Sequence, residues 1–104
     1  MSNYARGNVV LVHFPYKEGG TTKLRPAVVI EGFPDESYIC QITSKNRSDQ
    51  FKGFWIEKDS SEGVLMGIKT DSFINVETTT TIKNIMIETV IGNCPFIDEI
   101  DDLI

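Results

Sequence analysis

The chain is predicted to fold as a small, mainly β protein: an antiparallel barrel, partly closed and capped by one late helix. Three observations predict this. Short β-branched and apolar runs recur along the first ninety residues, separated by turn residues. No strand is followed by a long amphipathic stretch, so no βαβ alternation arises. The only extended apolar stripe at helical spacing lies at the C-terminus.

Each element has its own warrant. Residues 8–14, NVVLVHF, are apolar on both alternating faces and are ended by Pro15, as in a central strand. Residues 16–24 contain two adjacent glycines and two threonines and read as a loop. Residues 26–31 form the second strand, with Ala27, Val28, Val29 and Ile30 buried on both faces. Gly32, Pro34 and Asp35 make a turn. Residues 37–43 form a third strand, with Tyr38, Cys40 and Ile42 on one face. A polar loop, 44–50, precedes a short strand, 51–56, and residues 57–63 read as a turn.

Residues 64–68 are apolar, and residues 72–81 are strongly strand-forming. Residues 82–93 fit either period; a helical turn at 83–86 followed by a closing strand reconciles them. Residues 95–104 predict the helix. Pro95 suits its start, Asp98 and Glu99 suit its positive end, and Phe96, Ile97, Ile100, Leu103 and Ile104 form the stripe.

With 104 residues the expectation is one domain spanning 1–104. Two cysteines, Cys40 and Cys94, show no metal-ligand spacing; Cys40 reads as a buried free thiol. No charged-then-apolar leader and no membrane-length apolar run occur, so the expected location is the cytoplasm, away from membranes. The net charge of −5 argues mildly against a nucleic-acid partner. Its distribution qualifies that. Asp98, Glu99, Asp101 and Asp102 sit in the tail, whereas Lys23 and Arg25, and then Lys45 and Arg47, fall in two cationic segments.

Arg25 leads Pro26 into the buried second strand, just after the glycine loop. Pro26 fixes its own φ and drives Arg25 towards extended backbone. That offers an anion a guanidinium on a firm scaffold; a solvated strand-end charge is the simpler alternative.

Arg6-Gly7-Asn8 with the following Val-rich run, Phe14-Pro15-Tyr16, the Gly/Thr loop, Lys23-Leu24-Arg25-Pro26 and Ile42-Thr43-Ser44, in that order and spacing, resemble the MazF/PemK family of type II toxin–antitoxin toxins. The resemblance implies an SH3-like barrel of CcdB/MazF type with a C-terminal helix, and a homodimer. It further implies a metal-independent endoribonuclease acting on single-stranded RNA, often mRNA, and a cognate antitoxin that covers the groove and with which such toxins bind DNA. No cofactor is implied. The family's catalytic arginine falls on Arg25 and its threonine on Thr43, with Ser44 beside it. Departures occur: the usual Gly-Asp opening is Gly7-Asn8, Gly20 stands where some members have Glu, and an Arg-x-Asp pair falls on Asn75-Val76-Glu77. Lys69 is a candidate to replace that lost charge.

Metal-independent RNA cleavage uses the substrate's 2′-hydroxyl as nucleophile, so the protein must orient it, accept its proton and neutralise phosphoryl charge. Arg25 suits neutralisation through two parallel hydrogen bonds. Thr43 and Ser44 suit donation or 2′-hydroxyl positioning, and Glu77 is the candidate base. Gly19, Gly20 and Thr21 offer a phosphate cradle, with Lys23, Lys45, Arg47 and Asn75 as further substrate contacts. Tyr16 and Trp55 are candidate base platforms, against Phe14 and Phe51 as core residues. His13, the sole histidine, lies in an apolar strand, where a hydrogen-bonded structural role competes with catalysis. Two alternatives are a gyrase-binding toxin of CcdB type, whose terminal Trp-Gly-x-Ile is lacking here, and a non-catalytic RNA or protein interaction module on the same barrel.

Overall fold

A computed structural model describes residues 4–15 and 22–104. Six antiparallel strands form one sheet: β1 (Asn8–Pro15), β2 (Thr22–Gly32), β3 (Glu36–Thr43), β4 (Gly53–Ile56), β5 (Ser72–Lys83) and β6 (Ile87–Asn93). Their order is β4-β5-β3-β2-β1-β6. The mainly β architecture with a C-terminal helix is as predicted. The sheet itself is open, because β4 and β6 stand at opposite edges and do not pair.

Alternation along β1 explains why the sheet is apolar on both sides. Val9 joins Val28, Cys40, Ile42 and Ile74 in one core, and Val10 and Val12 join Ala27, Val29 and Ile39 in the other. The first core is covered by helix α2 (Ile97–Leu103) through Ile100, Ile97 and Phe96. Phe96 also stacks on Phe54 of β4, ring centroids 5.1 Å apart. Leu103 and Ile104, at the end of the predicted stripe, stay exposed. Arg6 pairs with Asp98 and Asp101, so two of the four tail acids pin the helix instead of facing only solvent.

Three differences from the sequence-based expectation shape the site and its surroundings. β2 begins at Thr22, because pairing with β1 runs without interruption from Val9–Val28 to Pro15–Thr22. Arg25 therefore lies inside a strand, opposite Val12, and not ahead of one. Pro26 is tolerated because it lies just beyond the Ala27–Gln41 pair that opens the β2–β3 ladder. β4 starts only at Gly53. A Cβ at that glycine would come within 2.0 Å of the Ile74 carbonyl oxygen and 2.6 Å of the Phe73 ring.

The third difference is a short helix, α1 (Ser61–Met66), where a turn and an apolar run were expected. Ser60 caps it by accepting from the Gly63 N–H at 3.0 Å, and Gly67 ends it at φ 72°. Met66 anchors it in the core while Val64 and Leu65 stay exposed. A single 3-10 turn, Asn84–Met86, joins β5 to β6 as predicted. Asn84 fastens that turn by donating to the Phe33 carbonyl at 2.9 Å and accepting from the Ser37 hydroxyl at 2.6 Å. Among the described residues, no helix is long and apolar enough to cross a membrane.

Candidate functional site

The ends of β2 and β3 build the site. Ala27 pairs with Gln41 at the end of the β2–β3 ladder, and Arg25 and Thr43, the last residue of β3, each lie two residues beyond that pair on their own strands. Both side chains are half-buried. They border two adjoining clefts. The first, about 590 Å³, is walled by Lys23, Arg25, Lys45 and Arg47, with Thr43, Ser44 and Thr70 supplying hydroxyls and Leu24 and Pro26 an apolar floor. The second, about 380 Å³, is lined by Gln41, Gln50, Phe51, Asn75 and Thr78. Arg25, Thr43 and Arg47 belong to both, which makes one continuous groove.

The two halves differ chemically. The first is cationic, with four positive side chains on a chain whose net charge is −5. The second shares only Arg25 and Arg47 of these cations and is otherwise amide-rich, with an aromatic wall. Among the described residues lining either half there is no carboxylate and no imidazole.

The loop after β3 is ordered by its own hydrogen bonds. The Thr43 hydroxyl accepts from the Lys45 N–H at 3.3 Å, and Asn46 accepts from the Ser48 N–H at 3.0 Å. The Arg47 carbonyl accepts from both the Gln50 and Phe51 N–H groups at 2.9 Å. Arg47, Gln50 and Phe51 are thus presented to the groove by one closed turn.

The structure brings together Lys23, Arg25, Thr43, Ser44, Lys45, Arg47 and Asn75 of the candidate residues. Tyr16, Gly19, Gly20 and Thr21 lie outside the described residues. Trp55 faces a separate pocket of about 280 Å³ with Glu57, Glu62 and Phe96, away from Arg25. Glu77 is exposed and borders neither half; its carboxylate accepts from the Lys52 N–H at 2.5 Å. Lys69 borders a small apolar pocket with Leu11, Ile68 and Ile91. His13 contacts Glu88, Nε2 to Oε1 2.6 Å, and borders neither half of the groove.

Phe51 corrects the sequence reading: it is 36% exposed and lines the groove, where a core position was expected. Gln41, Gln50 and Thr78 were not foreseen. Gln41 shares its face with Thr43 by simple alternation, a signal the sequence did contain. Thr78 reaches the groove only through an irregularity in β5 that alternation does not show.

Both thiols are withdrawn from chemistry. Burial pushes Cys40 up to about 12, with the neighbouring Cys94 adding to the rise. Burial likewise raises Cys94 to about 11. Both are free and buried. Among the described residues, no group of three or more His, Cys, Asp or Glu side chains is gathered as a metal site would require.

Comparison with known proteins places the chain. The family model described as PemK-like, MazF-like toxin of type II toxin–antitoxin system matches residues 5–101. No curated protein matches the chain. The match takes in every strand, the groove and all but the last turn of α2. The chain therefore belongs to the PemK-like, MazF-like toxins of type II toxin–antitoxin systems.

Proposed function

We propose that the protein is an endoribonuclease that cuts single-stranded RNA at the Arg25–Thr43 groove, without a metal ion. The observation that carries this reading is that Arg25 and Thr43 both stand where a four-cation cleft meets an amide-rich, aromatic one. A phosphodiester needs the first and an unstacked base needs the second.

In the proposed reaction the 2′-oxygen attacks the adjacent phosphorus and the 5′-oxygen leaves, giving a 2′,3′-cyclic phosphate and a 5′-hydroxyl. The 2′-proton is lost and one is returned to the leaving oxygen. Arg25 holds two phosphoryl oxygens through its planar fork and offsets the charge that grows on them. Thr43 and Ser44 donate to the phosphate or fix the 2′-hydroxyl in line. Lys23, Lys45 and Arg47 track neighbouring phosphates. Phe51 stacks one base, while Gln41, Gln50 and Asn75 meet its polar edge. Type II toxins pair with an antitoxin; in this reading it is laid along the same groove, and the working unit is a homodimer in the cytoplasm.

The test is incubation of purified protein with long unstructured RNA, with and without chelator. Discrete cuts in both samples are expected. Intact RNA in both would refute the nuclease. Recovery of gyrase from a pull-down would then favour the protein-binding alternative, and salt-sensitive RNA binding without products the non-catalytic one.

A further inference from the structure

Glu77 occupies the most irregular stretch of the sheet. Cys40 pairs with Thr79, but the next residue, Gln41, pairs with Asn75. Val76, Glu77 and Thr78 therefore have no partners on β3 and form a three-residue bulge. Bulges re-aim side chains, and this one turns Thr78 into the groove beside Asn75.

One hydrogen bond braces the bulge internally and two clasp it to the loop before β4. Asn75 Oδ1 accepts from the Glu77 N–H at 3.0 Å. Glu77 Oε2 accepts from the Lys52 N–H at 2.5 Å, and the Lys52 carbonyl accepts from the Val76 N–H at 3.2 Å. Lys52 directly follows the turn that displays Arg47, Gln50 and Phe51. A charged acceptor on a backbone donor is among the stronger hydrogen bonds available at a surface.

We infer that Glu77 is a positioning residue: through the Lys52 N–H it holds the Arg47–Phe51 turn against Asn75, and so sets the width of the amide-lined half of the groove that receives a nucleobase flanking the cut. It transfers no proton. The need is for an acceptor at Oε2, not for a titrating group. This rests on the nuclease reading for its substrate, but the clasp exists independently of it.

The experiment compares wild type, E77A and E77Q in three measurements. These are amide hydrogen exchange at residues 50–52, steady-state cleavage, and the Kd for an uncleavable 2′-deoxy oligonucleotide. Because Glu77 is exposed, neither change disturbs the core. In E77A, exchange should accelerate, and KM and the oligonucleotide Kd should rise about tenfold with kcat held within about threefold. E77Q keeps the acceptor and should restore all three to near wild type, with an unchanged pH profile. Loss of kcat in E77Q to the level of E77A, or unaltered exchange in E77A, would overturn the inference. If wild-type protein cuts no RNA, the nuclease reading fails alone; accelerated exchange and a raised Kd in E77A still uphold the clasp, and their absence refutes it.

Discussion

Arg25 of β2 and Thr43 of β3 lie just beyond the Ala27–Gln41 pair on neighbouring strands, and both border both halves of the groove. One residue carries permanent charge and the other a hydroxyl beside it. In the proposed reading a phosphate that touches both leaves the adjoining amide-lined half for its neighbouring base.

Removing only the Thr43 hydroxyl isolates that contribution. Thr43→Val should lower kcat by about 10²–10³-fold, the usual loss for one donor to a developing oxyanion. Thr43→Ser should recover most of it. Single-turnover cleavage under saturating enzyme reads the effect directly. The melting temperature should change little, because Thr43 ends its strand and is only half-buried.

In the proposed reading Lys45 and Arg47 contact phosphates, not bases. Lys45→Ala should weaken RNA binding similarly for all sequences and reduce the salt slope of log Kd by about 0.7, one phosphate contact on a single strand. Fluorescence anisotropy across a salt series checks this. A change in base preference instead would move Lys45 out of the phosphate track.

Helix α1 tests stability apart from function. Ser60 accepts from the Gly63 N–H and donates to the Glu57 carbonyl at 2.6 Å. Ser60→Ala should cost about 1 kcal/mol, or roughly 4–8 °C in melting temperature. Cleavage at temperatures well below the transition should be unchanged, because α1 packs on β6 and borders neither half of the groove.

The buried thiols predict a loss of stability at high pH. Below about pH 9 both are protonated whether the chain is folded or not, so they are neutral to the balance. Above it, the unfolded chain releases protons that Cys40, held up to about 12, and Cys94, held up to about 11, retain when folded. Stability then falls as pH rises. The urea midpoint should decline from pH 9 to 11 less steeply in a Cys40→Ala, Cys94→Ala variant. Thiol labelling at pH 8 should require unfolding.

Much of this was legible in the residues. The apolar runs at β1 and β3 and the Arg25-Pro26 and Thr43-Ser44 segments were enough to anticipate the fold class and one side of the groove. What was not legible has physical causes. Lys23 and Leu24 read as loop because their strand character comes from pairing with Phe14 and His13, not from their own propensity. Helix α1 is only six residues long and contains Gly63 and Val64, so propensity was silent. Its signal was the spacing of Ser60 and Gly67, a cap at each end. The amide-lined half of the groove depends on the β5 bulge. Glu77 became the candidate base through the family's Arg-x-Asp pair, which carries no sign of the bulge that turns it to Lys52 and brings in Thr78.

The most direct test uses one RNA with a single preferred cut and a copy bearing 2′-deoxy at the nucleotide 5′ to that cut, both in chelator. Wild-type protein should cut the first to a cyclic phosphate and a 5′-hydroxyl and leave the second intact, while Arg25→Ala should cut the first at least about 10²-fold more slowly. Equal cutting of the deoxy copy, or an Arg25→Ala protein as fast as wild type, would contradict the account.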